Sequence, residues 1–118
     1  MNTTPIEFMA WDKKRNEWVH ERPCNILGET ILLCEWMRRP NGDHVRLEEL
    51  NDIAIMQRTA LRSINDEPIY NHMIVKNEFG DHFLVDMFNY PIMEFLTRFD
   101  LEIVGNRFQH PELLEMCK

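Results

Sequence analysis

The chain of 118 residues is poor in several things that would have assigned it quickly. It has only three cysteines, Cys24, Cys34 and Cys117. An odd number without C-x-x-C spacing argues against a disulfide framework, a redox motif or a zinc knuckle. The histidines (His20, His44, His72, His82, His110) stand singly, whereas structural zinc usually shows paired ligands close in sequence, so no metal is expected. Four glycines leave no Gly-rich phosphate loop, and with six prolines they exclude collagen-like or low-complexity chains. No apolar run approaches the ~18 residues of a membrane-spanning helix; the longest candidate, Ile31-Leu32-Leu33-Cys34, is strand-sized, and no membrane association is expected. The opening residues lack the basic start and apolar middle of a secretion signal, which gives a cytoplasmic expectation. A basic excess is also missing. The net charge is −7, and it is uneven: residues 1–40 hold six basic and six acidic side chains, residues 41–118 seven and fourteen. A phosphate backbone rewards clustered Lys and Arg, so nucleic acid is a disfavoured partner. The exceptions are Lys13-Lys14-Arg15 and Arg38-Arg39, both at expected turns or strand ends.

What the chain does have is enough apolar residues (44%) for one real core, with aromatics spread along its length. Ile6–Trp11 alternates as a half-buried strand, 12–17 is turn-like, and Trp18-Val19-His20 resumes β character, together a hairpin. Pro23 and Gly28 punctuate a connector. Residues 30–37 form the most apolar stretch, and Asn41-Gly42 after it is the strongest tight-turn signal, leading into 44–47. Residues 48–52 read as a turn or single helical turn, 53–59 as a strand and 62–68 as a polar connector. Met73-Ile74-Val75 and His82–Val85 flank the turn 77–81 as a second hairpin. Ile92, Phe95, Leu96 and Phe99 fall at helical spacing, favouring a short helix there, after a break at Asn89-Tyr90-Pro91. Leu101–Val104 reads as a strand ending at Gly105, where Gly105-Asn106 turns the chain through an unusual φ, and Pro111–Met116 as a last helical turn.

Four segments in order resemble the YopX-like family of phage and prophage proteins. They are Phe8-Met9-Ala10-Trp11-Asp12-Lys13 (family F-R-A-W-D-K), Met56-Gln57-Arg58-Thr59-Ala60-Leu61 (M-Q-x-T-G-L), Ile69-Tyr70-Asn71-His72-Met73-Ile74-Val75 (I-Y-E-G-D-I-V) and the stretch from Ile103 to Leu114 (V-I-G-N-x-x-E-N-P-E-L-L). The match runs from residue 6 to 114, with departures at Met9, Ala60 and Asn71-His72-Met73, as in a divergent member. The resemblance implies a single domain over 1–118, with an N-terminal β region over 1–61 and an SH3-like barrel region over 62–118. With the strand pattern, this gives the expected fold class: mainly β, a small SH3-like barrel in the C-terminal part, an N-terminal β-hairpin layer and one or two short helices. The family implies no known enzymatic activity and an unsettled biochemical role, and no cofactor is expected.

The residues expected to bind, if any do, are Trp11, Asp12, Gln57, Thr59, Tyr70 and Asn106. Each has a plainer reading. A Trp ending a strand belongs to a core, and an Asp after it starts a turn. Gln57 and Thr59 on one strand face can satisfy backbone groups at a barrel closure. A Cys34–His44 nucleophile pair lacks an oxyanion-stabilising motif, and Cys34 sits where a buried thiol is inert, so no catalytic residue is expected. The leading expectation is a non-enzymatic phage accessory protein that binds a host or phage protein through an acidic surface. The alternatives are a small-ligand or nucleotide-binding anti-defence protein with a pocket between subunits, and a nucleic-acid-binding barrel. Self-association into a homo-oligomer is expected from the edge strands of a small barrel.

Overall fold

The computed structural model describes residues 6–19, 24–26 and 51–118. Over these residues the chain is mainly β, built from short antiparallel strands with two short helices. It divides into two compact units, Met1–Gln57 and Arg58–Lys118, with the boundary inside one long strand. The expected strand at 30–37 and the Asn41-Gly42 hairpin lie outside the described residues, as do Arg38-Arg39 and the Cys34–His44 pair.

In the first unit β1 (Ile6–Asp12) is central. On one side its end pairs with β2 (Glu17–Trp18), in the register Trp11↔Trp18, and its start pairs with β3 (Cys24–Ile26), a strand that the Pro23 and Gly28 punctuation had hidden. On the other side it pairs with the first half of β4 (Ile53–Arg62), from Phe8↔Gln57 to Asp12↔Ile53. Backbone bonds carry both ladders past their strands: the Val19 N–H donates to the Ala10 carbonyl at 2.9 Å, and Lys13 to Asp52 at 2.8 Å. The centrality of β1 follows from its side chains. Ala10 and Trp11 are both buried, and Ala10 packs with Val19 and Ile53. The Trp11 and Trp18 rings, directly opposite across the hairpin, meet edge-to-face at 4.8 Å. Such a pair adds about 0.5–1.5 kcal/mol beyond its burial. Asn16, a residue type that tolerates the left-handed region, takes φ 58° to complete the turn.

The second unit matches the expectation of a small, curled, barrel-like β structure. The second half of β4 pairs with β5 (Pro68–Tyr70) through Arg58↔Tyr70 and Arg62↔Pro68, so β4 spends two more residues than its partner and bulges. A bulge bends the strand and sharpens its twist. A two-residue corner, Asn71-His72, with His72 at φ 74°, leads into β6 (Met73–Lys76). β6 is the middle of a three-stranded sheet between β7 (His82–Leu84) and β8 (Glu102–Asn106). Covered on both faces, β6 carries three consecutive buried apolar residues, Met73, Ile74 and Val75. The corner is stitched down by His72 N–H to the Val85 carbonyl (2.9 Å), Val85 N–H to Met73 (2.8 Å) and Arg107 N–H to His72 (3.0 Å). Both outer strands of this sheet are met by other chain: Ile64 N–H bonds the Leu101 carbonyl beside β8, and Cys117 bridges to His82 on β7, with Lys118 N–H bonding the His82 carbonyl. Leu61, Ile69, Phe83, Val85, Leu96 and Leu101 complete the interior.

Helix α1 (Tyr90–Leu96) begins earlier than the expected stripe, because Asn89 caps it by accepting the Ile92 N–H, and Pro91 suits its first turn. Phe99 therefore falls just past its end. Helix α2 (Pro111–Leu114) lies where expected, with Pro111 at its start. Gly105 does not end β8. It sits inside the strand, next to a register shift between Ile74↔Gly105 and Val75↔Ile103, a bulge in which β8 spends one extra residue. A Cβ at Gly105 would run into the His110 imidazole, with Cε1 at 2.9 Å and Nδ1 nearer still. The glycine leaves room for the His110 ring against the strand.

Gly105→Ala is accordingly expected to destabilise the protein by about 1–3 kcal/mol, from overpacking against His110 together with a backbone φ of 159° that side chains rarely adopt. In a His110→Ala background the crowding part of that cost should disappear and the backbone part remain. Denaturant unfolding of the four-variant cycle measures it, and an undiminished cost in the double variant would remove the crowding explanation.

Candidate functional site

Six polar side chains are buried among the described residues: Asp12, Thr59, Ser63, Asn71, Asn77 and Asn106. They include three of the expected site residues, and all six are occupied by the backbone. Asp12 Oδ1 accepts the N–H groups of Lys14 and Arg15, each at 3.0 Å, closing the β1–β2 turn. Ser63 Oγ accepts those of Asn65 and Glu67, holding the β4–β5 turn in which Asp66 takes φ 63°. Asn77 Oδ1 accepts those of Phe79 and Asp81 across the β6–β7 turn. Asn106 Oδ1 accepts those of Phe108 and Gln109 at 2.9 and 2.8 Å as the chain leaves β8, so it turns the chain through its side chain and not through an unusual φ. Thr59 sits in the β4 bulge, where its hydroxyl donates to the Ile69 carbonyl (2.7 Å) and accepts the Leu61 N–H (3.2 Å). Asn71 Oδ1 reaches the Met87 N–H. A buried amide without an acceptor costs about 1–3 kcal/mol, so these atoms are committed to the fold.

The remaining expected residues are placed as follows. Trp11 is 1% exposed, and its Nε1 meets no acceptor among the described residues. Gln57 is half-buried opposite Phe8. Tyr70 is buried, with its N–H on Met73 Sδ at 3.3 Å. Thr59 and Tyr70 come together through the β4–β5 pairing, and Trp11 and Asp12 adjoin at the end of β1, with Gln57 paired further along it.

A cleft of about 280 Å³ lies at Asp12, Lys14, Arg15 and Asp52. Its two acids balance its two bases, which blunts the only basic cluster within the described residues. No three metal-ligating side chains converge among the described residues. Cys117 is half-buried, its thiol donates to the Leu113 carbonyl, and burial raises its pKa.

What the sequence reading missed is an aromatic face on the second unit. Phe83, 4% exposed, forms its floor. Phe95 (39% exposed) meets Phe83 at 5.7 Å and Phe99 at 4.9 Å; Phe99 stacks on Phe83, and Phe79, 75% exposed, stands edge-on to Phe99 at 6.3 Å. Phe88 and Tyr90, before and at the start of α1, are also largely exposed. The signal was present as an aromatic inside a polar turn, Asn77-Glu78-Phe79-Gly80-Asp81, where a strand-borne core ring has no reason to be.

No family model matches the chain, and no curated protein matches it.

His72 titrates with a clear structural cause. Burial lowers its pKa, the Arg107 charge lowers it further, and Asp86 opposes them in part. Its ring also meets Phe108 at 5.4 Å. The folded state thus binds this proton more weakly than the unfolded chain, so the contribution is complete above about pH 6.5 and is lost as the pH falls below that value. Asn tolerates the left-handed backbone at this position. His72→Asn is therefore expected to lose less stability than the parent between about pH 7.5 and about pH 5. Denaturant midpoints across that range measure it, and parallel losses in the two proteins would contradict it.

Proposed function

We propose that this chain is a non-enzymatic phage or prophage accessory protein of the YopX-like type. It binds a host or phage protein through the acidic surface of residues 58–118. The observation that carries the reading is the division of labour among polar groups. The buried ones serve the backbone, while the second unit has ten acidic against six basic side chains, and Glu94, Glu112 and Glu115 are exposed. An acidic surface with no committed chemistry suits electrostatic steering toward a basic protein, which raises the on-rate and suppresses wrong partners.

The family reading has its own support in the backbone. His72 stands where the motif I-Y-E-G-D-I-V carries glycine, and its φ of 74° is the conformation that glycine adopts without strain. Asn106, in the motif V-I-G-N, closes the turn that the motif spans. A cytoplasmic setting and self-association belong to the same reading. In the second unit the strand edges at β7 and β8 are already met by Cys117, Lys118 and Ile64, so self-association there would use side chains and not an open ladder.

The test is capture from bacterial lysate on the immobilised chain, alongside a Glu94→Gln, Glu112→Gln, Glu115→Gln variant. Raising salt from about 0.01 M to about 1 M shortens the Debye length from about 30 Å to about 3 Å. Partner retention should fall across that range and be weaker on the variant at low salt. No retained protein at low salt, or retention indifferent to both salt and substitution, would refute the reading.

A further inference from the structure

The β6–β7 turn holds a phenylalanine in water by construction. Asn77 Oδ1 accepts the Phe79 and Asp81 N–H groups, Asn77 N–H bonds the Asp81 carbonyl at 3.0 Å, and Gly80 takes φ 85°. The turn is further tied to the chain after α1, because Glu78 Oε2 accepts the Asp100 N–H at 2.9 Å. Phe79 is thus presented rigidly beside Phe99 and the half-open Phe95, above the buried Phe83. Exposed apolar area that is pre-ordered loses little further entropy on binding.

The charges around this face are lopsided. Lys118 is engaged by Asp81 at 2.8 Å and Lys76 by Glu102 at 3.4 Å. That leaves Glu78, Glu94 and Asp100 without an ion pair among the described residues, set in sequence directly beside Phe79, Phe95 and Phe99, with Arg98 as the one local counter-charge. Aromatic faces attract cations, and carboxylates beside them reinforce the preference.

We propose that Phe79, Phe95 and Phe99, with Glu78 and Asp100, dock a basic amphipathic segment of a partner protein. A Lys or Arg lies over the exposed Phe79 ring and pairs with Glu78 or Asp100, while a neighbouring apolar side chain covers Phe95 and Phe99. This deepens the protein-binding reading by naming the site and the chemistry of the segment it takes.

The test uses the full chain, isotopically labelled, and a short synthetic peptide alternating lysine and leucine. Amide shifts should concentrate at residues 78–81 and 95–100. Phe79→Ala, at a largely exposed position, should keep the fold, checked by circular dichroism, and weaken binding about tenfold, equivalent to about 1.4 kcal/mol. Glu78→Gln with Asp100→Asn keeps the acceptor for the Asp100 amide, removes both charges and should also weaken it. Equal binding of a glutamate–leucine or a lysine–serine peptide overturns the proposal, as does undiminished binding by Phe79→Ala. Concentration-dependent shifts of these same amides in the free protein, abolished by Phe79→Ala, would instead make the occupant a second copy of this chain. If lysate capture succeeds while Phe79→Ala retains the captured partner in full, this site fails and the broader reading stands.

Discussion

A single kind of hydrogen bond sets the shape of this protein: one short polar side chain, buried at the root of a turn, accepting two backbone amides at once. Asp12, Ser63, Asn77 and Asn106 each do this, at four different turns. Several strands are too short to hold their own ends together by ladder bonds alone; β5 and β7 have three residues each and β2 two. With so few ladder bonds per strand, the turns fix which strand meets which, and in what register. Chains rich in glycine can turn at little steric cost. This one has four glycines, and it places Asn16, Asp66 and His72 in the positive-φ region besides Gly80.

The same economy shapes what the protein can do. Residues that look like a ligand site in the sequence, such as Asp12, Thr59 and Asn106, each have a side-chain oxygen taken up by the backbone. The surface of the second unit, by contrast, combines exposed acidic side chains with aromatic rings held outward. Phe79 joins the two themes: the Asn77 bonds that define the turn are also what keep its ring exposed.

The type and order of the described elements, β3 excepted, were readable from short-range pattern. Alternation located β1, an apolar run at 53–56 located β4, a polar turn between apolar segments located β6 and β7, and proline marked the start of α2. Boundaries and special positions were harder. Gly105 does take the unusual φ expected of it, but it looked like a stop signal because its second reason for being glycine lies further along the chain, in the His110 ring lying against it five residues later. The start of α1 was hidden because Asn89 and Pro91, read as a break, act as a cap and a first-turn residue. Thr59 was placed on a strand correctly, but the bulge that occupies its hydroxyl depends on β5 pairing out of step. The aromatic face was missed because four rings distant in sequence, Phe79, Phe83, Phe95 and Phe99, meet only when the turn folds back on α1. Spread along a chain, aromatics look like core.

Amide hydrogen exchange tests the central claim directly, since it reads the eight N–H groups that these four side chains accept. Lys14, Arg15, Asn65, Glu67, Phe79, Asp81, Phe108 and Gln109 lie in turns, where unbonded amides exchange rapidly. They should exchange far more slowly than such amides, and Asn106→Ala should release Phe108 and Gln109 while leaving Phe79 and Asp81 protected. Rapid exchange at all eight in the native protein would mean that the turns are not held this way, and the argument that the polar side chains are spent on the fold would fall with it.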